Sequence, residues 1–129
     1  MHTDKDIHTR SCIMGNLDIP IFAKLYEFYK QLSQYLALFP KNKRYSLGQK
    51  IDNIALEIFE LLFKSGVVSK DQKLETLRNV SAKLDLLKML MRLAKDQKSL
   101  STKAYLDLQA YLQEIGKMLG GWLKYLNNS

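Results

Sequence analysis

Apolar residues recur along this chain in steps of three and four, in four separate blocks. Polar residues fill the remaining positions of each turn, which is the signature of amphipathic helices. The last block is the clearest. Tyr105, Leu108, Leu112, Ile115, Leu119, Trp122 and Leu126 form a heptad seam. Ala104, Tyr111, Met118 and Tyr125 make a second stripe at intervals of seven. One stripe suffices for a packed neighbour in the same chain. Two stripes predict a helix with a further surface to bury, hence a bundle that oligomerises.

The other blocks follow the same logic. Helix 1 is expected to begin after Asp18, an N-cap, with Pro20 in its first turn. Ile21, Leu25, Phe28, Leu32, Tyr35 and Phe39 form its seam, and Pro40 ends it. The segment Lys41-Asn42-Lys43-Arg44-Tyr45 reads as a basic loop. Ser46 and Gln49 have capping-box spacing at the start of helix 2. Leu47, Ile51, Ile54, Ala55, Ile58, Leu61 and Leu62 face inward, and Gly66 is expected to supply a left-handed stop. Ser69 and Gln72 repeat the capping box and open helix 3, which should run to about Asp96. Leu77, Val80, Leu84, Leu87, Met91 and Ala94 are its seam; Leu86, Met89, Leu90 and Leu93 form a second apolar face. Ser101 caps helix 4, which continues to about Asn127. Short connections between long helices make neighbours antiparallel. The expected fold is all-α, an up-down-up-down antiparallel four-helix bundle over residues 18–129. Residues 1–17 show no periodicity and are expected to be a disordered tail, with Met1 or Met14 the natural start.

Composition changes this picture little. A chain of 129 residues with 47% hydrophobic side chains can bury one core. No apolar run approaches the ~20 residues that span a bilayer, and residues 1–14 lack the hydrophobic centre of a signal peptide. A cytoplasmic location without membrane contact is therefore expected. The single cysteine, Cys12, excludes an internal disulfide.

Charge changes it more. The balance of 20 basic against 13 acidic side chains gives +7, which favours anionic partners, nucleic acid before membrane surface. Lys64 to Lys103 holds ten basic and four acidic residues, most of that excess. On helix 3, Lys88, Arg92 and Lys95 share a flank, and Arg78 extends it N-terminally. A flank between two apolar stripes either borders an interface or channel, or is a solvated face whose lysines reach away from the core.

Enzyme chemistry finds no support. Di-iron bundles need Glu-x-x-His pairs, helical ribonucleases an Arg/His pair, and nucleophile dyads a histidine base. No histidine follows His8. Zinc ligands are limited to His2, His8 and Cys12, and no glycine-rich phosphate loop follows a strand. Asp52, Glu57, Glu60, Asp85 and Glu114 each suit a solvated helix face. No catalytic residue, metal or cofactor is expected. Gly116 and Gly120 are four apart and suit close helix approach; the alternative is a bend or frayed end. Most tyrosines lie on seams, whereas Tyr45, in the basic segment, is open to base stacking.

Three blocks carry a family resemblance. Phe39-Pro40-Lys41-Asn42-Lys43-Arg44-Tyr45-Ser46-Leu47-Gly48-Gln49 resembles the helix 1–2 junction of small bacterial four-helix-bundle proteins. The stretch from Leu84 to Ala94 and the ending Ile115-Gly116-Lys117-Met118-Leu119-Gly120-Gly121-Trp122-Leu123 are similar to helices 3 and 4 of one branch. That branch is the accessory variability determinant (Avd) family of diversity-generating retroelements. Its cousins are bundle proteins encoded in intervening sequences of 23S ribosomal RNA genes, acting as structural or protein-interaction modules; membership of that group is the alternative reading.

The resemblance implies a non-enzymatic accessory protein. Avd-like proteins form basic homopentamers that bind nucleic acid and a reverse transcriptase, and support mutagenic cDNA synthesis from template RNA. By that resemblance Lys88, Arg92 and Lys117 match the family's basic positions. With Lys95, Arg78, Lys41, Lys43 and Arg44 they are the candidate contacts to RNA and cDNA. Leu86, Met89, Leu90, Leu93, Tyr111, Met118 and Tyr125 would be the subunit contacts. A pentamer would carry about +35, so binding would weaken steeply with salt.

Overall fold

The computed structural model describes the backbone of residues 18–128 and the side chains of residues 20–128. Residues 1–17, with the tail, His2, His8, Cys12 and both candidate start positions, lie outside the described residues, as does the side chain of Asp18. Four helices make up the described chain, with no strand among the described residues. α1 spans Asp18–Leu36. α2 has three parts: a first turn Lys41–Lys43, a π-helical stretch Arg44–Gly48 and a main body Gln49–Ser65. α3 spans Lys70–Asp96 and α4 Thr102–Asn127.

The helices close into a ring in which α1 packs on α2 and α4, and α3 packs on α2 and α4. Their directions alternate. Going up α1, Lys24 meets Glu114, Gln31 meets Tyr111 and Tyr35 meets Asp107, so α4 descends as α1 rises. This is the expected up-down-up-down bundle. Its core is the set of seams read from periodicity: Leu25, Phe28, Ile54, Ile58, Leu87, Met91, Leu112 and Ile115 are among its fully buried members. A ring of packed seams has little to gain from strand pairing, because each helix already satisfies its own backbone.

The helix ends both follow and correct the sequence reading. Ser69 and Ser101 are N-caps, accepting from the backbone N–H of Gln72 at 3.4 Å and of Ala104 at 3.0 Å. Ser46 is not a cap. α2 starts directly after Pro40, whose extended backbone makes it the N-cap residue, so Ser46 lies inside the helix. Its hydroxyl donates back to the carbonyls of Asn42 and Lys43. The expected basic loop is therefore the first turns of α2.

α1 ends at Leu36, one turn before the expected Phe39, and Ala37–Phe39 form a turn whose last residue is still buried. Arg44 supports that turn. Its guanidinium donates to the carbonyl oxygens of Ala37 at 3.0 Å and Phe39 at 3.3 Å, satisfying acceptors left free as the helix ends. Gly66 is not left-handed either; its φ is −78°. The left-handed residue is Lys98, with φ 64°, where the N–H groups of Ser99 and Leu100 turn back to the carbonyl of Ala94 and end α3. A cation at a helix C-terminus also complements the carbonyl end of the dipole.

Candidate nucleic-acid interface

α3 presents three faces. Its inner seam, from Leu77 to Ala94, is buried. Leu86, Met89 and Leu93 lie roughly 180° around the helix from that seam and are exposed, Met89 to 69%. Leu90 is half-buried against the core. Between the buried and exposed faces, on the side toward α4, runs the basic flank.

Lys88 is its inner member. Its Nζ reaches Gly116 of α4, where an added Cβ would meet it at 3.7 Å, an ordinary van der Waals contact. Gly120 has no atom within 4 Å of where its Cβ would be. The expected close helix approach at these glycines is thus not made inside the chain. They open a hollow of about 410 Å³ between α3 and α4, lined by Ser81, Leu84, Asp85, Lys88, Gln113, Gly116, Lys117, Leu119, Gly120 and Leu123. Two of the sequence-derived cations, Lys88 and Lys117, share this hollow. Arg92 lies one turn further along α3 and is exposed; among the described residues neither Lys88 nor Arg92 forms an ion pair. Lys95 continues the flank, but its ammonium stands over the Tyr105 ring at 5.0 Å and 3.7 Å from Asp96. Arg78 is exposed toward the start of α3.

The remaining cations form a second group. Lys41, Lys43 and Arg44 sit in the first turns of α2, at the end of the bundle where α1 meets α2. Tyr35 of α1 donates to Asp107 near the start of α4 at 3.2 Å, so the α3–α4 connection with Lys98 and Lys103 lies at the same end. Arg44 is already engaged with the carbonyls of Ala37 and Phe39, whereas Lys41 and Lys43 form no ion pair among the described residues. Lys98 and Lys103 were not among the sequence candidates; only the antiparallel topology brings them near.

The expected subunit-contact residues are distributed unevenly. Tyr111 packs edge-on to Phe28 with ring centroids 6.4 Å apart, and its hydroxyl accepts from Gln31 at 3.3 Å. Met118 is half-buried against the core and Ala104 is buried within it. Most of the second stripe of α4 is therefore covered by the chain's own fold. Tyr125, near the C-terminal end of α4, stays exposed, as does the outer face of α3.

Several neighbouring acids are tied down elsewhere. The Lys83 ammonium donates to Glu57 at 2.8 Å and holds that carboxyl below its usual value, linking α2 to α3. Lys103 donates to Asp107 at 2.8 Å; this hydrogen bond lowers the carboxyl and raises the ammonium. Asp85, the acid in the wall of the Lys88 hollow, is not one of these two. Among the described residues, no group of three or more His, Cys, Asp or Glu could hold a metal ion, and no helix is long and apolar enough to cross a membrane.

A family model described as bAvd-like matches residues 21–126, from the first buried residue of α1 to the last turn of α4. The chain belongs to the bAvd-like family. No curated protein and no solved structure gives a significant match. Apart from the first residues of α1 and the last of α4, all four helices lie within the matched bAvd-like region, as do the α3–α4 hollow and all three blocks of resemblance.

Proposed function

We propose that this bAvd-like chain is a non-catalytic, nucleic-acid-binding accessory subunit. It associates with the reverse transcriptase of a diversity-generating retroelement and supports mutagenic cDNA synthesis from template RNA. The observation that carries this reading is the pairing on α3 of Lys88 and Arg92, which form no ion pair among the described residues, with an exposed apolar strip, Leu86, Met89 and Leu93. The strip is the surface for self-assembly, with a pentamer as the expected ring. Assembly repeats the basic flank and multiplies phosphate contacts, so RNA and cDNA are held chiefly through their backbones, with strong salt dependence.

Lys88→Glu combined with Arg92→Glu tests the reading. RNA retention at low salt is expected to vanish while helicity and assembly persist. Unchanged retention refutes it. Light scattering of the purified protein tests assembly separately, because a monomer contradicts the role given to the outer face of α3. Location beside a reverse transcriptase gene with template and variable repeats supports the retroelement role; location inside a ribosomal RNA gene supports the alternative.

A further inference from the structure

A second hollow lies away from the Lys88 flank. It occupies about 440 Å³ where the last turns of α1 face the π-helical stretch of α2, and its walls include Tyr29, Ser33, Arg44, Tyr45, Gln49 and Asp52. π-helical stretches recur at functional sites because the extra residue re-aims side chains. Here the structure holds Tyr45 at 68% exposure, with no ring contact among the described residues. Gly48 in the same stretch has no spare room: a Cβ there would meet Phe39 Cδ2 at 3.2 Å and the Lys43 carbonyl at 3.3 Å.

The polar wall has a definite sense. Tyr29 stands edge-on to Phe59 and its hydroxyl donates to Asp52 Oδ1 at 2.6 Å. That bond orients the carboxylate and leaves Oδ2 without a side-chain donor among the described residues. Gln49 adds an amide that both donates and accepts. Arg44 is the cation of the wall, Lys41, Lys43 and Lys50 are its neighbours in the sequence, and no acid occurs from Lys41 to Lys50.

This combination selects its occupant. An acidic group would be repelled by Asp52 inside the hollow. A cationic side chain would be repelled by Arg44 in the wall and by the lysines that flank it in the sequence. A purely apolar group would cover Asp52 without giving it a hydrogen bond, which is costly. An unstacked nucleobase with an exocyclic amino group fits all three conditions. Its face stacks on Tyr45, its N–H donates to Asp52, and its flanking phosphates meet the lysines. We propose that this hollow is a recess for one base of single-stranded RNA, selective for amino-bearing bases over uracil. This deepens the nucleic-acid reading above and rests on it.

The test is fluorescence anisotropy of labelled oligo(A), oligo(C) and oligo(U) RNA with the full chain at low salt. Oligo(A) and oligo(C) are expected to bind several-fold more tightly than oligo(U). Tyr45→Ala should weaken their binding by about 5- to 100-fold, and Tyr45→Phe should restore most of it, because stacking needs the ring and not the hydroxyl. Asp52→Asn, whose amide can donate into the recess, should shrink or reverse the preference against uracil. Equal binding of all three RNAs that is sensitive to the Lys88/Arg92 double variant but not to Tyr45→Ala overturns the recess and leaves the phosphate-binding role standing. No RNA binding by the unaltered chain overturns both.

Discussion

α4 has two long seams, one against α1 and one against α3, built in opposite ways. Toward α1 it offers Tyr111, which is ring-packed on Phe28 and bonded to Gln31, while Asp107 takes the Tyr35 hydroxyl and Glu114 approaches Lys24 at 3.9 Å. Toward α3 it offers Gly116 and Gly120, and a hollow with Lys88 and Lys117 in its wall. The first seam is filled by large side chains and serves stability. The second keeps its core-facing residues, Leu84 and Leu119, buried while its outer half stays open and charged. Two glycines four residues apart on one helix separate a closed seam from an accessible one.

Damage to the closed seam should have the largest effect. Phe28→Ala removes a fully buried ring and its edge contact to Tyr111, and should lower unfolding free energy by about 3–5 kcal/mol in chemical denaturation. A loss no larger than that of an exposed-site alanine would mean that α1 is not clamped as described. Next comes Gly48→Ala. The Cβ would press on a buried ring and a backbone carbonyl, so a loss of about 1–3 kcal/mol is expected from overpacking.

The open seam should respond with the opposite sign. Gly120→Ala meets nothing within 4 Å, so it should stabilise α4 by about 0.5–1 kcal/mol through helix propensity. RNA retention should fall at the same time, because the methyl narrows the approach to Lys88 and Lys117. A variant that gains stability and keeps full retention would remove the hollow from the binding surface.

The smallest effect is a pH dependence at the α1 side of α4. Asp107 lies below its ordinary value, first through the Lys103 hydrogen bond and also through that of Tyr35. Its stabilising contribution is complete above the unfolded carboxyl value and is lost as pH falls through the lower folded one. Carboxyl titration by NMR should show this shift in the unaltered chain and lose most of it in Lys103→Ala.

How much of this was legible in the sequence depends on range. Helix number, the buried seams and the Ser69 and Ser101 caps follow from periodicity and local chemistry within a few residues. The misplaced start of α2 shows the limit. Ser46 and Gln49 satisfy a capping pattern, yet Pro40 opens the helix earlier, and Arg44 supports that choice by bonding carbonyls across the turn. That is a contact across the preceding turn, to residues five and seven positions back, competing with a capping motif, and spacing alone does not weigh the two. Tyr111 shows a similar limit. Its spacing matched a second stripe, but Phe28 and Gln31 come from the far end of the chain. Spacing placed Lys88 on a basic flank, whereas its approach to Gly116 and Lys117 across the α3–α4 hollow appears only in the packed bundle.

The π-helical stretch Arg44–Gly48 can be regarded as one amino acid in surplus. Deleting a single residue there would restore a regular spiral, but would rotate everything before it by about 100° relative to the main body of α2. Arg44 would swing off the oxygens of Ala37 and Phe39, and Tyr45 would leave the mouth of its recess. The insertion therefore sets the angular phase between two halves of the molecule, so length variants at this spot should be far less tolerated than point substitutions beside it.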